Sequence, residues 1–380
     1  MPSSSLRRER LVPARHLVVK VGTALLTRDA DEGPGLDTEF IAALAKQIGT
    51  LSKQGYEITL VSSGAVGAGC VELGVEKRPE DVAELQAAAA VGQRRLMTHL
   101  HDALKPYGLR VGQLLLTRHD FDDRERFLNI RNCVTKLHEL GCLPVLNEND
   151  SVAVDEIRFG DNDLLAALTT NALAAEALIL LTTVDGLLDD DGKVVDLVEN
   201  IQEQIGLVRT EGSSWGRGGM STKLESARLV TEAGEVAVIA HGREKNVLLR
   251  LMKGEKLGTC FLPSERKLDS RSRWIGLTKR PDGTLSVDTG ASAAVVDNGK
   301  SLLAKGITDV TGRFERGSLV VVRDPQGREI GRGLINYNSD ETRSIMGLDS
   351  DRFAERLGRP GFTEVIHRDN LVVMASTATH

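Results

Sequence analysis

Excess positive charge is the first thing this 380-residue chain lacks: 54 acidic residues face 48 basic ones, a formal charge of −6. Phosphate contacts supply most of the affinity of an obligate nucleic-acid binder, so such a binder usually carries a surplus of Lys and Arg. A small anionic ligand held by a few placed cations remains compatible with this balance. Aromatic residues are also scarce, at 3 %. That argues against aromatic-rich sandwiches and barrels, and for helices packed on buried parallel strands. The four cysteines, Cys70, Cys133, Cys142 and Cys260, form no Cys-x-x-Cys pair, and no histidine cluster completes a zinc site. Reduced thiols are the expectation. The first fifteen residues hold basic side chains without the apolar region of a secretory signal. The apolar-looking stretch 164–181 is broken by Asn171 and Glu176, so it reads as a helix and then a strand, not a membrane span. A soluble, cytoplasmic protein is expected.

What is present is an alternation. Short apolar runs at 16–22, 57–64, 110–116, 142–148, 177–182 and 236–242 have the composition of strands buried on both faces. Between them, 38–55, 81–108, 124–141, 163–176 and 222–234 carry helical periodicity, several ending in a glycine suited to a C-cap. Repeated strand–helix–strand units predict an α/β fold, a mainly parallel sheet sandwiched by helices. After about residue 262 the pattern changes to short β-like runs, at 283–290, 301–307 and 317–333, with turn signals at 281–283 and 325–327. The expected organisation is an amino-terminal tail over 1–15, a first domain over 16–262, a polar linker over 263–273, and a small β-rich domain over 274–380.

In open α/β sheets, ligands bind beyond the carboxyl ends of the strands. Lys20 sits at such an end, in a run apolar on both sides, where an ammonium is costly to bury unless an anion meets it; a frayed strand end is the plain alternative. The second strand runs into Ser62-Ser63-Gly64 and further glycines, which permit close backbone approach and offer hydroxyls to a carboxylate or phosphate. A tight strand-to-helix turn would use the same residues. The fourth strand ends in Asn147-Glu148-Asn149-Asp150, and 159–163 follows with Gly160-Asp161-Asn162-Asp163. These clusters suit binding an amino group, ordering a metal or holding lysines; loop solvation and capping by Asp161 or Asn162 is the bland account. Residues 216–223, Gly-Arg-Gly-Gly-Met-Ser-Thr-Lys, lead into a helix. Glycines there expose N–H groups to an anion, and Thr222 with Glu225 fits a capping box. Lys223 opposes the helix dipole, which makes sense beside a phosphate. The spacing is not that of a Walker A loop. Two lysines, a glycine-rich helix entry and an acidic cluster together describe phosphoryl transfer. A carboxylate acceptor suits them, being ionised near neutrality and needing no general base.

The segments VVKVGTALLT, LVSSGAVGAG, QLLLTRHDFDDRERFLN, PVLNENDSVA, FGDNDLLAAL and GGMSTKLESA, in this order, resemble the amino-acid kinase family over nearly the whole chain. The resemblance implies the amino-acid kinase fold and ATP-dependent phosphorylation of the side-chain carboxylate of L-glutamate, the first step of proline biosynthesis. Aspartate or acetylglutamate kinases are the sibling alternatives. It implies that Lys20 and Lys223 grip the ATP phosphates and stabilise the transferring group, with Asp163 orienting them. Ser63, Asp150 and Asn162 would hold glutamate. The nucleotide would meet Lys20, Thr182, Thr183, Arg217, Gly218, Gly219, Met220, Ser221, Thr222 and Lys223. Mg²⁺ would bridge the phosphates with no protein ligand assigned. L-Proline would inhibit near 118–127 and 147–162, and the assembly would be a homodimer or homotetramer. Two departures stand out: Thr182-Thr183 where the family commonly has Thr-Asp, and Arg217 where it usually has Thr. The stretches at 285–296, 301–324 and 331–341 resemble a PUA domain, named for RNA-modifying enzymes. Residues 271–380 hold 16 basic against 14 acidic side chains, no RNA-binding field by itself. An RNA-binding protein with an inactive first domain is the alternative from another class.

Overall fold

The computed structural model describes residues 3–28, 35–75, 79–152, 162–201, 219–264 and 267–374. The chain divides into two compact units, Met1–Lys267 and Leu268–His380. The first unit is built on an eight-stranded sheet: β1 (His16–Val21), β2 (Glu57–Ser62), β3 (Arg110–Leu116), β4 (Cys142–Glu148), β5 (Ala177–Thr182), β6 (Leu197–Val198), β7 (Val236–His241) and β8 (Thr259–Phe261). The strands lie in the order β3-β4-β2-β1-β5-β7-β8-β6, and only the β7–β8 pairing is antiparallel.

Position in the sheet follows composition. The central runs of β1, β5 and β7 are buried along almost their whole length because helices cover both faces. The edge strand β3 stays half-exposed. Helix Thr38–Lys53 starts where the Asp37 carboxylate accepts from the Phe40 N–H, and it buries Phe40, Ile41, Leu44, Ile48 and Leu51. Helix Val82–Leu104, capped by Asp81, crosses helix Ala65–Glu72 at glycines. A Cβ on Gly69 would collide with the Ala88 carbonyl oxygen, and one on Gly92 with that of Ala65. The two helices therefore touch backbone to backbone, which fixes how near the long helix lies to the loop after β2.

Residues 3–15 are not a tail. Ser3–Leu11 is a helix, Leu11 is buried, and the Arg7 side chain is fully enclosed. Its terminal nitrogens donate to the carbonyls of Asp196, Glu255, Leu257 and Gly258, and it pairs with the Asp196 carboxylate at 3.0 Å. A polar sequence conceals this, because the anchor is one arginine satisfying main-chain acceptors and not an apolar stripe. The division between the units falls inside the expected linker, yet Ser270–Arg273 is a helical turn capped by Asp269, with Arg273 1 % exposed.

In the second unit β9 (Gly283–Val287), β10 (Ile307–Gly312), β11 (Leu319–Arg323), β12 (Glu329–Leu334) and β13 (Leu371–Val373) form a sheet ordered β10-β9-β11-β12-β13. The turn 324–327 is closed by the Asp324 carboxylate, which accepts from the Gln326 and Arg328 N–H groups. The β-run expected over 301–307 is instead a bridge at Leu302 and a helical turn, Ala304–Gly306; the strand begins at Ile307. Helices Thr289–Val296, Ser339–Ile345 and Phe353–Leu357 accompany the strands.

Candidate active site

The carboxyl ends of β1, β2, β4 and β5 bring the sequence candidates together. Lys20 is the penultimate residue of β1, in register with Val61 of β2 and Leu180 of β5, and only 6 % exposed. Asp163 lies in the first turn of helix Asn162–Leu173, 3 % exposed. Lys223 lies in the first turn of helix Met220–Glu232. The Asp163 carboxylate bridges the two cations: Lys20 Nζ is 2.6 Å from Oδ1 and Lys223 Nζ is 3.0 Å from Oδ2. Thr222 Oγ1 adds a long contact to Oδ2 at 3.4 Å. Burial alone pushes the Asp163 carboxyl up, but the Lys20 and Lys223 ammonium groups outweigh it and hold it below the ordinary carboxylate range. One carboxylate against two ammoniums leaves the trio with a surplus positive charge, which a phosphate would neutralise.

The helix that carries Lys223 starts differently from the sequence reading. Gly219 is its N-cap and contributes no side chain, so the Thr222–Glu225 capping box does not form. Thr222 Oγ1 donates to the Gly219 carbonyl at 3.0 Å, and Glu225 pairs with Arg228. Lys223 Nζ also donates to the Gly219 carbonyl, which ties the first turn to the ammonium. Gly219 and Ser221 are exposed, and Met220 is half-buried. Arg217 and Gly218 lie outside the described residues, as do Gly160 and Asp161.

Beside this trio is a buried set of amides and hydroxyls. Gly64, at φ 95°, turns the chain from β2 into helix Ala65–Glu72, a conformation costly for any residue with a Cβ, and so presents Ser63. Asn162 is not spent as a cap. Its Nδ2 donates to Ser63 Oγ at 2.7 Å, to the Ser62 carbonyl at 3.1 Å and to Asn147 Oδ1 at 3.0 Å. Asn147 in turn donates from Nδ2 to Gln93 Oε1 at 2.7 Å. Sequence reasoning missed Gln93; its one signal was an amide following Gly92 in an alanine-rich helix. Asp150 is half-buried and lines, with Glu148, Asn149, Ser151 and Gln93, a cavity of about 680 Å³ over β3 and the long helix.

Thr182 ends β5 opposite His241 and is half-buried, whereas Thr183 is exposed. Neither lines the nearby cavity of about 350 Å³, whose walls include Asp185, His241, Lys256 and Gly258. Among the described residues no group of three His, Cys, Asp or Glu side chains could hold a metal ion. No helix there is long and apolar enough to cross a membrane.

The model of the amino acid kinase family matches residues 15–241, and that of the PUA domain matches residues 283–357. The glutamate 5-kinase of Chromohalobacter salexigens is 46 % identical over 378 residues, covering 98 % of this chain and 99 % of that protein. The glutamate 5-kinase of Citrifermentans bemidjiense is 45 % identical over 377 residues, covering 97 % and 100 %. Among solved structures, the carbamate kinase from Giardia lamblia bound to AMP-PNP aligns with a TM-score of 0.49 at 17 % identity, over 67 % of this chain and 100 % of that one.

Proposed function

The chain belongs to the amino acid kinase family, and from that premise we propose that it transfers the γ-phosphoryl group of ATP to the side-chain carboxylate of L-glutamate, the first step of proline biosynthesis. The observation that carries the reading is the buried bridge Lys20–Asp163–Lys223 at the carboxyl ends of the strands. A glutamate side chain, with a pKa of about 4.3, is ionised at neutral pH and attacks without a general base. What remains for the protein is alignment and neutralisation of charge on the transferring group. On this reading Lys20 and Lys223 meet the terminal phosphates from two sides, and Asp163 keeps both ammoniums aimed inward. The helix start at Met220 offers N–H groups to the same phosphates. Ser63, Asn162 and Asp150 hold the amino acid, and Thr182 with the 217–223 stretch lines the nucleotide.

Mg²⁺ belongs to the reading as a passenger of the nucleotide. With no three-ligand cluster among the described residues, its coordination would come from phosphate oxygens and water, the usual habit of this ion. The reading includes feedback inhibition by L-proline near the glutamate loops 118–127 and 147–162; the first contains the helix Arg118–Asp122, which starts at the Thr117–Asp120 capping box. The same reading carries a cytoplasmic homodimer or homotetramer and an accessory second unit. Purified protein given ATP, Mg²⁺, hydroxylamine and L-glutamate should yield glutamyl hydroxamate. Product from aspartate or acetylglutamate in its place would move the assignment to a sibling kinase.

A further inference from the structure

The buried amides around Asn162 form a ladder with a fixed direction. Glu148 N–H, a donor that cannot reverse, donates to Asn147 Oδ1 at 2.9 Å. That oxygen is therefore the acceptor, and the Asn147 Nδ2 group is the end that faces Gln93 Oε1. At the other end Asn162 Nδ2 approaches the Ser62 carbonyl, which can only accept. The Asn162 orientation is thereby fixed as well. With its NH₂ group spent on Ser62, Ser63 and Asn147, the Oδ1 atom of Asn162 is buried and has no donor among the described residues. Asn162 is 7 % exposed and Gln93 9 %. A buried acceptor without a donor among the described residues is suited to a donor brought by a ligand.

We infer that Gln93, on helix Val82–Leu104, is a positioning residue for the acidic amino-acid substrate: through Asn147 it locks the Asn162 amide so that Oδ1 is held ready for the substrate's ammonium group. The inference deepens the glutamate kinase reading and rests on it. Gln93 makes no hydrogen bond to Asn162 or Ser63 among the described residues; it acts by giving the Asn147 NH₂ group its acceptor. Without that acceptor the buried Asn147 NH₂ group has lost its partner, although the Glu148 N–H still sets the direction of the amide. Rotating it would aim NH₂ at the NH₂ of Asn162 and at the Glu148 N–H, donor against donor, and loosen the far end of the ladder. Rigid placement of Gln93 comes from the residue before it. Gly92 is packed against the Ala65 carbonyl with no room for a methyl group, so the long helix cannot drift from the loop that carries Ser63. Asn147 and Asn162 are fully enclosed or nearly so, and water has little access to substitute for a lost partner.

Two substitutions test this in the full chain. Gln93→Met keeps length and volume but removes the acceptor. Gln93→Glu keeps an acceptor oxygen at the same place, whether or not its carboxyl is protonated. Gln93→Met should raise the KM for glutamate about tenfold while the KM for ATP stays within about twofold, the size expected when a buried donor loses its acceptor. Gln93→Glu should bring the glutamate KM back to within about threefold of wild type, and thermal midpoints of both variants should stay close to the parent. A glutamate KM within twofold of wild type in Gln93→Met overturns the inference. So does a parallel rise in both KM values with a lowered midpoint in both variants, since that describes packing and not orientation. Wild-type protein that makes no hydroxamate from glutamate sinks the functional reading itself. Wild-type activity with an indifferent Gln93→Met variant sinks this inference alone.

Discussion

Strand β1 enters the sheet at His16 and leaves it at Lys20 and Val21, and its two ends solve the burial of a titratable group in opposite ways. At the entry, the His16 ring stands edge-on to His138, centroids 5.5 Å apart, and Thr59 Oγ1 lies 3.0 Å from His138 Nε2. Burial pushes the His138 ring down to about 4, with His16 beside it acting in the same direction and Glu57 against it. Burial likewise lowers His16, opposed by Glu57 and Glu176. This end holds its bases neutral. At the exit, the Asp163 carboxylate meets two ammoniums and stays ionised despite deeper burial. Desolvation removes a charge whose counter-charges are weak, and is outweighed where two fixed counter-charges stand in contact with it. A structural end can afford neutrality, whereas an end meant to receive a triphosphate must keep its cations.

The sharpest way to break the contrast is Asp163→Asn, which keeps the shape and removes the counter-charge. Two buried ammoniums would then face each other with no anion between them, and kcat/KM in the hydroxamate assay should fall by ~10²–10⁴, equivalent to about 3–5 kcal/mol. A loss smaller than tenfold would mean that the lysines are held by something other than this carboxylate.

The next largest effect tests whether the exit end depends on close helix packing. Gly92→Ala places a methyl group against the Ala65 carbonyl, and the crossing helices must part. A stability loss of ~2–3 kcal/mol is expected from overpacking, read as a lowered denaturation midpoint. Gly35 is the control, because a Cβ there meets nothing within 4 Å. Gly35→Ala should change stability by no more than about 0.5 kcal/mol. Equal effects at both positions would remove the packing argument.

Legibility followed the range of the interactions. The strands were readable because runs such as 177–181 and 236–240, five consecutive apolar residues each, have little alternative to a doubly covered parallel sheet. Lys20 and the 216–223 entry were readable because each breaks a local rule, a charge inside an apolar run and a cation at a helix start. Their meeting on Asp163 spans positions far apart in the chain, and no local pattern encodes it. Asn162 was legible as a cap and proved to be a hub, since its partners Ser63 and Asn147 arrive from the carboxyl ends of β2 and β4. Arg7 and Gln93 were opaque for the same reason: both satisfy distant polar atoms, a relation invisible to periodicity. In the second unit, Asp288 caps helix Thr289–Val296 within a segment whose alanine and valine content reads equally as β.

Acid separates the two ends by a window of pH, and this is the smallest of the expected effects. His138 binds its proton more weakly folded, at about 4, than unfolded, near 6.5. The unfolded chain therefore holds more protons between those values, so stability contributed by the neutral ring is complete above about 6.5 and drains away as pH falls toward 4. The carboxylate at the exit end behaves on a lower scale: its folded value is held below 3.8, so its contribution is present above that value and is lost only as pH drops beneath it. A His138→Gln variant can still hydrogen-bond Thr59 but cannot titrate. It should lose less stability than wild type between pH 6.5 and 4, by on the order of 1 kcal/mol after discounting for the partial exposure of the ring. Below pH 4 the two proteins should fall in parallel, because the exit end is common to both. Denaturant midpoints measured at half-unit steps of pH resolve the difference. Curves that run parallel through the upper window would show that the entry end is not held neutral by burial, and the contrast along β1 would then rest on Asp163 alone.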